Sequence, residues 1–377
     1  MPMIIPVFLM NRGCPHRCLF CNERLTAGDR PERVTEAAFA ETVRAHLVGA
    51  LRRGGPRRPV QIAFYGGTFT GMEREEQRRL LDMAAPFLRE GAVDSIRVST
   101  RPDGIDQEAL DLFRTAGVTT VEVGAQSLHD GVLMESRRGH TEADTVRALT
   151  LLREKGFETG IHLMAGLPGD SPDRFAETIR KTIALRPDMV RIHPTLVLRD
   201  TALAQAFHQG AYQPLTLPEA TDLCKDALRA LTAAGIPVIR LGLQTTRELE
   251  EPGAVVAGPF HPAFRSLVET ALFRESAAAL LSSVERGNGA LSSGIADADR
   301  LTAHFTISPA DLSSFCGAGR ANIAFLKERF GIEEIRVTAD PALSRGIVIL
   351  AHGNRQWKAD GAGRITAGPG EGLHADG

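Results

Sequence analysis

The sequence lacks an excess of either charge, and it lacks a long apolar run. Its 377 residues carry a formal net charge of −2, so no overall charge attracts the chain to nucleic acid or to an anionic membrane. No apolar run reaches the ~18 residues of a membrane-spanning helix. The apolar residues 1–10 are not preceded by a basic segment, unlike a signal peptide. These absences predict a cytoplasmic protein without a membrane partner.

Cysteine is also scarce, and the five cysteines are not distributed as disulfide pairs. Cys14, Cys18 and Cys21 fall in one short segment, whereas Cys224 and Cys316 are isolated. A disulfide framework places paired cysteines through a short secreted chain. Closely spaced thiols in a reducing compartment indicate a metal site instead.

Apolar runs rich in β-branched residues alternate with helical patterns over the first two hundred residues. The predicted strands are 4–9, 60–65, 96–99, 120–124, 159–164 and 189–193. The predicted helices between them are 35–52, 74–90, 107–116, 141–155 and 172–184. This α/β alternation predicts parallel βαβ units, in a doubly wound sheet or in a partial open (β/α)6 barrel. In a barrel, chemistry collects in the loops that follow the strands.

The C-terminal part predicts a smaller unit. A helix at 218–234, a strand at 238–241 and a helix at 264–285 extend a first domain over residues 1–286. A linker rich in Gly and Ser follows at 287–294, then a small α+β unit at 300–352 and a disordered tail at 353–377. The turn Gly317-Ala-Gly-Arg320 between two predicted helices is similar to the GXXG loop of KH-type RNA modules. An acetyl-CoA pyrophosphate turn and a simple packing appendage are the alternatives.

The segment Cys14-Pro-His-Arg-Cys18-Leu-Phe-Cys21 follows the first strand. An iron–sulfur cubane requires four ligands, usually cysteine thiolates. Three cysteines leave one iron open to a small molecule, and an open coordination position is typical of a reactive metal site. A structural zinc site formed with His16 is the alternative, although no second pair of ligands follows. We therefore interpret the loop as a [4Fe–4S] site on Cys14, Cys18 and Cys21.

Other motifs follow the later strands, and together with the cysteine loop they resemble one family. They are Phe64–Phe69, Ser99–Asp103, Val123–Ser127, Arg138–His140, Leu163–Gly169 and Gly258–Phe264. Over about residues 1–270 the set resembles the radical S-adenosylmethionine (SAM) superfamily. The Elp3-like branch is the nearer match and the oxygen-independent coproporphyrinogen oxidases are the second. The resemblance implies that SAM chelates the open iron. It also implies that one electron from the cluster cleaves SAM to methionine and a 5′-deoxyadenosyl radical.

The resemblance and the chemistry of the side chains also give candidate SAM contacts. Glycines at a strand end allow close approach of a ligand, and hydroxyl and guanidinium groups suit a ribose and a carboxylate. The candidates are Phe20, Gly66, Gly67, Thr68, Ser99, Thr100, Arg101, Gln126 and Arg138.

Several polar residues near these motifs have ordinary alternatives. Arg137 is a rival for the role of Arg138, and His140 is a candidate helix cap. His162, His193 and His261 are interpreted as core or rim histidines, because such histidines are more common than ligands.

Two classes of function remain open on the sequence. The first is a radical SAM enzyme, supplied with electrons by a flavodoxin or ferredoxin, that acts on an unknown substrate, with tRNA or another RNA as the leading candidate. A tetrapyrrole oxidase is a weaker variant of this enzyme hypothesis. The second class is an iron–sulfur redox sensor or electron carrier with an attached binding module. The ribose- and carboxylate-binding motifs favour the enzyme, because a sensor does not need them.

Overall fold

The computed structural model describes residues 2–15, 17–28, 33–53, 58–288, 302–352 and 355–369. They divide into two compact units. The first contains the described residues up to Ala220 together with Ile236–Pro262. The second contains Thr221–Gly235 and the described residues from Ala263 onward. His16 and most of the predicted linker, residues 289–294, lie outside the described residues.

Nine strands are described in the first unit, and seven of them form one parallel sheet. The strands are β1 (Met3–Phe8), β2 (Val60–Tyr65), β3 (Ser95–Thr100), β4 (Val118–Gln126), β5 (Glu158–Ala165), β6 (Met189–Pro194), β7 (Val197–Leu198), β8 (Val238–Leu241) and β9 (Val255–Ala257). The parallel sheet has the order β1-β2-β3-β4-β5-β6-β8, while β7 and β9 form a separate antiparallel pair. All seven carboxyl ends therefore lie along one edge of the sheet.

Helices connect the strands of this sheet, as parallel pairing requires. They are α1 (Glu23–Ala27), α2 (Glu36–Arg53), α3 (Arg74–Arg89), α4 (Gln107–Thr115), α5 (Asp130–Glu135), α6 (Glu142–Glu154), α7 (Pro172–Leu185) and α8 (Ala202–His208). Their starts follow from the sequence. Asp106 caps α4 by accepting a hydrogen bond from the Ala109 amide, and Ser171 caps α7 with Pro172 at the first helical position.

Aromatic residues fill the core between the sheet and its helices. Phe39 on α2 stacks on Phe64 of β2, whose ring contacts Phe69, which in turn meets Phe113 of α4 edge-on. All four side chains are fully buried. Burial of one such side chain contributes roughly 1.5–3 kcal/mol. This packing holds the carboxyl ends of β2 and β3 in a fixed position.

The second unit combines helices with a five-stranded sheet. Its elements are α9 (Leu217–Ala233, whose first residues belong to the first unit), α10 (Phe264–Asn288), β10 (Thr302–Ile307), α11 (Leu312–Cys316), α12 (Ala321–Phe330), β11 (Glu334–Ala339), β12 (Val348–His352), β13 (Arg355–Ala359) and β14 (Ile365–Pro369). The sheet order is β11-β10-β12-β13-β14. Phe305, Phe315, Leu326 and Trp357 are buried in one core with the apolar face of α10.

The structure agrees with most of the predicted elements and differs in the C-terminal part. The prediction of an open, barrel-type parallel sheet is confirmed, with β8 added as a seventh strand. The prediction of a disordered tail from residue 353 is wrong for residues 355–369. These residues form β13 and β14. β13 pairs with β12 and β14 pairs with β13, so the backbone hydrogen bonds of both strands are satisfied in the sheet. Among the described residues, no helix is long and apolar enough to cross a membrane.

Candidate active site

A cavity of about 1020 Å³ in the first unit lies at the carboxyl edge of the parallel sheet. The cysteine loop after β1 and the loops after β2, β3 and β4 line it, together with inward-facing side chains of β5, β6 and β8. All the sequence-predicted site residues contribute to its wall. They are Cys14, Cys18, Phe20, Cys21, Gly66, Gly67, Thr68, Ser99, Thr100, Arg101, Gln126 and Arg138.

Each of the three thiols in the cysteine loop contacts a polar group. Cys14 Sγ lies 3.3 Å from Thr68 Oγ1, and Cys21 Sγ lies 3.8 Å from Asn11 Oδ1. Arg138 donates a hydrogen bond of 2.9 Å from Nη1 to Cys18 Sγ. The thiols are half-buried, and Cys14 and Cys18 are close enough to Cys21 to raise its pKa. Three sulfurs therefore face one cavity with a guanidinium beside them.

The cysteine loop and the glycine turn after β2 interlock through their backbones. The Thr68 amide donates to the Arg12 carbonyl at 2.7 Å. A Cβ atom at Gly67 would lie 2.3 Å from that carbonyl oxygen, and one at Gly13 would lie 2.1 Å from the Thr68 carbonyl oxygen. Both glycines have positive φ values, of 60° and 72°. Close approach of two backbones thus explains why the motif contains glycine.

Glu23 is a site residue that sequence reasoning missed. Its carboxylate accepts hydrogen bonds from the Asn11 amide and, at 2.5 Å, from the Gly67 amide. Burial raises the pKa of Glu23, and these two backbone hydrogen bonds oppose the shift. The carboxylate therefore joins the cysteine loop to the glycine turn. A glutamate in a short helix has no sequence pattern that reveals such a role.

Burial changes the acid–base behaviour of the thiols. Desolvation raises the pKa of Cys14 and of Cys21, and the negative charge of Glu23 adds to both shifts, while Arg138 opposes them. Because burial removes the stabilisation that bulk water gives to a charged thiolate, a thiolate here requires a positively charged partner. Iron in a cluster supplies that partner, so the donor set fits an iron–sulfur group. Among the described residues, no three His, Cys, Asp or Glu side chains converge on one single-ion position.

The three residues at the end of β3 have different surroundings. Ser99 is half-exposed to the cavity. Thr100 Oγ1 lies 2.6 Å from Thr70 Oγ1 and accepts a bond from the Thr70 amide, so it joins two loops. Arg101 is buried and forms a bidentate ion pair with Asp103, at 2.9 and 2.8 Å. Its guanidinium can contact a ligand only with the edge that Asp103 leaves open.

Gln126 ends β4 in an unusual conformation. Its φ is 67°, which is uncommon for a residue with a side chain, and the pairing of β4 with β5 shifts register between Val123 and Gln126. The side chain is buried, yet its Oε1 atom has no hydrogen-bond partner among the residues that the structure describes. A buried amide oxygen without a partner costs about 1–3 kcal/mol. Gln126 therefore fits a site that receives a hydrogen-bond donor from a ligand such as a ribose hydroxyl.

The structure distinguishes the two neighbouring arginines after β4. Arg138 is buried and, besides contacting Cys18, donates a 2.6 Å bond to the Gly124 carbonyl. Arg137 is exposed and does not line the cavity. The expected capping role of His140 is wrong, because Thr141 caps α6 with a capping box. The His140 ring bonds to the Ala125 carbonyl instead, at 3.1 Å.

A charged network lies on the strands beside the cavity, and its members Tyr65 and Arg191 line the cavity wall. Glu122 lies between two arginines, with Arg97 Nη1 at 2.5 Å and Arg191 Nε at 2.9 Å. The Tyr65 hydroxyl donates to Glu122 at 3.2 Å and accepts from Arg191. Arg97 and Glu122 are almost completely buried. One carboxylate thus balances two guanidinium groups within the sheet.

Two histidines lie beside this network. His162 Nε2 and His193 Nδ1 are 3.0 Å apart, on β5 and β6. Burial lowers the pKa of His162 to about 3 and that of His193 well below its usual range, and the charge of Arg191 adds to both shifts. Both rings are therefore neutral at pH 7. His261, the third histidine considered, does not line the cavity.

Comparison with known proteins identifies the family. Residues 8–182 match the family model described as the radical SAM superfamily, and residues 187–274 match the one described as the radical SAM C-terminal domain. The two matches together take in well over half of the chain. The chain belongs to the radical SAM superfamily, whose members are enzymes.

The relatives point to one branch of this superfamily. The chain is 27% identical over 255 residues to the tRNA uridine(34) acetyltransferase of Methanocaldococcus infernus, covering 58% of this chain and 48% of that protein. It is 27% identical over 184 residues to human Elongator complex protein 3, covering 44% and 34%. The chain spans about half the length of the former relative. The predicted Elp3-like resemblance is confirmed.

A solved structure supports the fold assignment. The archaeal Elp3 of M. infernus, with its N-terminus deleted, superposes with a TM-score of 0.56 at 23% identity. The match covers 73% of this chain and 64% of that one. The parallel sheet of this radical SAM chain is thus the fold of Elp3.

The neutral histidine pair predicts a pH-dependent stability. The folded-state pKa of His162 is about 3, below its unfolded value of ~6.5, so only the unfolded chain binds this proton as the pH falls through that window. Lowering the pH from 7.5 to 5 should reduce the free energy of unfolding, on the order of 2 kcal/mol through His162. Urea unfolding of His162→Asn should show a smaller loss. The exposed His208 gives the matched control His208→Asn, and an equal pH response in all three proteins would contradict the prediction.

Proposed function

We propose that this chain holds a [4Fe–4S] cluster on Cys14, Cys18 and Cys21 and uses it to cleave SAM reductively. The observation that carries the proposal is that these three thiols and Gln126, whose Oε1 atom has no partner among the described residues, line one cavity at the carboxyl ends of parallel strands. A bound cluster supplies one electron and an open iron, and SAM supplies the 5′-deoxyadenosyl radical. The protein binds and orients these groups and excludes competing reactions.

The residues around the cysteines have separate roles in this proposal. The Arg138 guanidinium donates to Cys18 Sγ and stabilises its negative charge when the thiol is a ligand. Glu23 and the glycine turn hold the loop in a fixed shape before the cluster binds. Thr68 contributes its hydroxyl to Cys14. Pre-organisation of this kind reduces the entropy lost when the cluster is held.

The SAM contacts follow the same edge of the sheet. Gly66 and Gly67 leave the end of β2 open to the methionyl group, and Ser99 and Gln126 offer a hydroxyl and an amide to the ribose. Phe20 lies on the cavity wall and packs against a small apolar cluster around Val197. An aromatic ring in this position suits the adenine. Thr100 and Arg101 act chiefly by holding the loop that carries Ser99.

Gln126→Ala tests the assignment of the SAM site. Loss of the amide should weaken SAM binding about tenfold, because a hydrogen bond to a buried group is removed, and should leave the absorbance of the cluster unchanged. Equilibrium dialysis of anaerobically reconstituted protein measures the affinity. Gln107→Ala on the exposed start of α4 is the matched control. SAM binding by Gln126→Ala at the wild-type level would exclude the assignment.

We further propose RNA, with tRNA as the leading case, as the substrate, and a flavodoxin or ferredoxin as the electron donor. The support for RNA is that a relative of this chain is named a tRNA uridine(34) acetyltransferase. The half-exposed thiols favour an electron donor that docks at the cavity mouth. In the second unit, Arg320 is exposed at the glycine turn before α12. It offers a contact for a phosphate.

RNA binding at two salt concentrations tests the substrate class. Affinity for tRNA should fall by roughly one log unit per log unit of salt for each phosphate contacted. Arg320→Gln should lower the affinity and reduce this slope. Arg336, which is exposed and ion-paired with Glu334, gives the control Arg336→Gln. If the wild-type protein does not bind tRNA in a salt-dependent way, the RNA proposal is contradicted. The proposal that the chain cleaves SAM would not be affected by that result.

A further inference from the structure

We propose that the deep patch of the cavity, formed by Tyr65, His162, Arg191, His193 and Arg240, binds an anionic group of the substrate. The class is a carboxylate or phosphate, and Arg240 and His193 are its direct ligands. This inference rests on the proposed function, because it concerns the substrate of the same site. It adds a chemical requirement that the SAM and cluster contacts do not contain.

The charge of the Arg240 side chain, unpaired among the described residues, is the first observation that supports this proposal. It is half-buried on β8 and lines the cavity, and its side chain forms neither a hydrogen bond nor an ion pair with any described residue. Burial and the neighbouring Arg191 lower the pKa of Arg240, which is the result of taking a guanidinium out of water beside a like charge. An arginine has five N–H donors and stays charged. A cation in this position is stabilised when an anion binds.

The surrounding charges do not provide that anion. Glu122 is the nearest carboxylate, and Arg97, Arg191 and Tyr65 already contact it. The acidic residues on the cavity wall, among those described, are Glu23 and Glu248. Glu23 is bound by two backbone amides at the cysteine loop. The deep patch therefore has more positive than negative charge.

The Nε2 atom of the His193 ring gives a second, independent observation. Its Nε2 atom is buried and has no hydrogen-bond partner in the described part of the chain, while its Nδ1 atom is hydrogen-bonded to His162. Arg240 pairs with Arg191 in the register of β8 and β6, and His193 lies two residues beyond Arg191 on the same face of β6. Arg240 and His193 therefore line the same part of the cavity. When His162 Nε2 carries the shared proton, His193 Nδ1 accepts it and His193 Nε2 carries its own proton toward the cavity. An anion at Arg240 selects this tautomer and satisfies both side chains with one group.

The two direct ligands of the anion lie on different strands from the proposed SAM contacts. Arg240 belongs to β8 and His193 to β6, whereas the SAM candidates follow β1 to β4. Arg138, the arginine that the resemblance assigns to SAM, contacts Cys18. The anion site should therefore remain available when SAM is bound, which places a substrate group beside the bound SAM.

Anion titration of the anaerobically reconstituted protein with saturating SAM tests the proposal. Inorganic phosphate and acetate are titrated at constant ionic strength against chloride, and the thermal unfolding midpoint is followed, because a ligand that binds the folded state raises it. The anion that raises the unfolding midpoint at the lower concentration identifies the substrate group, as a phosphate if it is inorganic phosphate and as a carboxylate if it is acetate. Arg240→Gln should weaken that binding at least about tenfold, and Arg240→Lys should restore part of it. His193→Asn should weaken it less.

The control is Arg147→Gln, an exposed arginine on α6 that faces solvent, and it should bind the anion as wild type does. The proposal is overturned if neither anion stabilises the wild-type protein, if Arg240→Gln binds as tightly as wild type, or if SAM abolishes anion binding. The titration is repeated on protein without cluster. Failure of cluster assembly with retained anion binding would count against the proposed function alone.

Discussion

Anaerobic reconstitution of the wild-type chain should yield about four irons and four sulfides per chain, and the Cys14, Cys18 and Cys21 triple alanine variant should bind none. The three thiols line the same cavity, and no other cysteine does so. With dithionite and SAM, the wild-type protein should release 5′-deoxyadenosine, and the triple variant should release none. The expected loss is complete because both the electron and the open iron depend on the cluster.

Cys316 provides the matched control for this experiment. It is half-buried in the second unit, where it packs against the apolar core. Cys316→Ala should keep the full iron content and the full yield of 5′-deoxyadenosine. Tightly bound zinc in place of iron after anaerobic purification would contradict the cluster assignment, and an unchanged iron content in the triple variant would do so as well.

Replacing Glu122 by alanine should destabilise the first unit by about 3–5 kcal/mol, because the change removes the close partner of a buried charge. The buried Arg97 keeps only the Glu158 carboxylate at 3.9 Å, and the half-buried Arg191 keeps no ion-pair partner among the described residues. Glu122 is 3% exposed, and its two oxygens contact one arginine each. Urea unfolding followed by circular dichroism measures the loss. Glu122 also accepts the hydrogen bond of the Tyr65 hydroxyl, which the variant loses. The variant should bind SAM only when the folded state is retained.

Glu158→Ala is the control for the buried pair. Glu158 is half-exposed and lies 3.9 Å from the other terminal nitrogen of Arg97. Because Glu158 is in contact with solvent and the two charges are far apart for an ion pair, the pair should contribute ~0–1 kcal/mol even though Arg97 is buried. Similar losses in Glu122→Ala and Glu158→Ala would show that burial of the pair has no special weight. A loss limited to Glu122→Ala would support the network described above.

The local pattern of the chain determined the elements of the fold. Alternating apolar runs gave the bounds of β2 and β8 without error, and the capping residues Asp106 and Ser171 marked the helix starts. These features depend on neighbours within a few residues, which is the range that periodicity and capping report. The cysteine spacing is equally local, and the prediction of a metal site rests on it. The resemblance to the radical SAM superfamily rests on several such local motifs together.

Tertiary structure alone decided which residues of the site meet. Glu23, Arg191 and Arg240 come from distant parts of the sequence, and only parallel pairing of the strands brings them to one cavity. The same distance separates His162 from its partner His193. The sequence could not show that Arg101 is bound to Asp103, or that residues 355–369 join a sheet. Nor could it show that Gln126 Oε1 has no partner among the described residues. Hydrogen bonding and burial are properties of the packed chain, so the sequence names the candidates and the fold decides which of them remain available to a ligand.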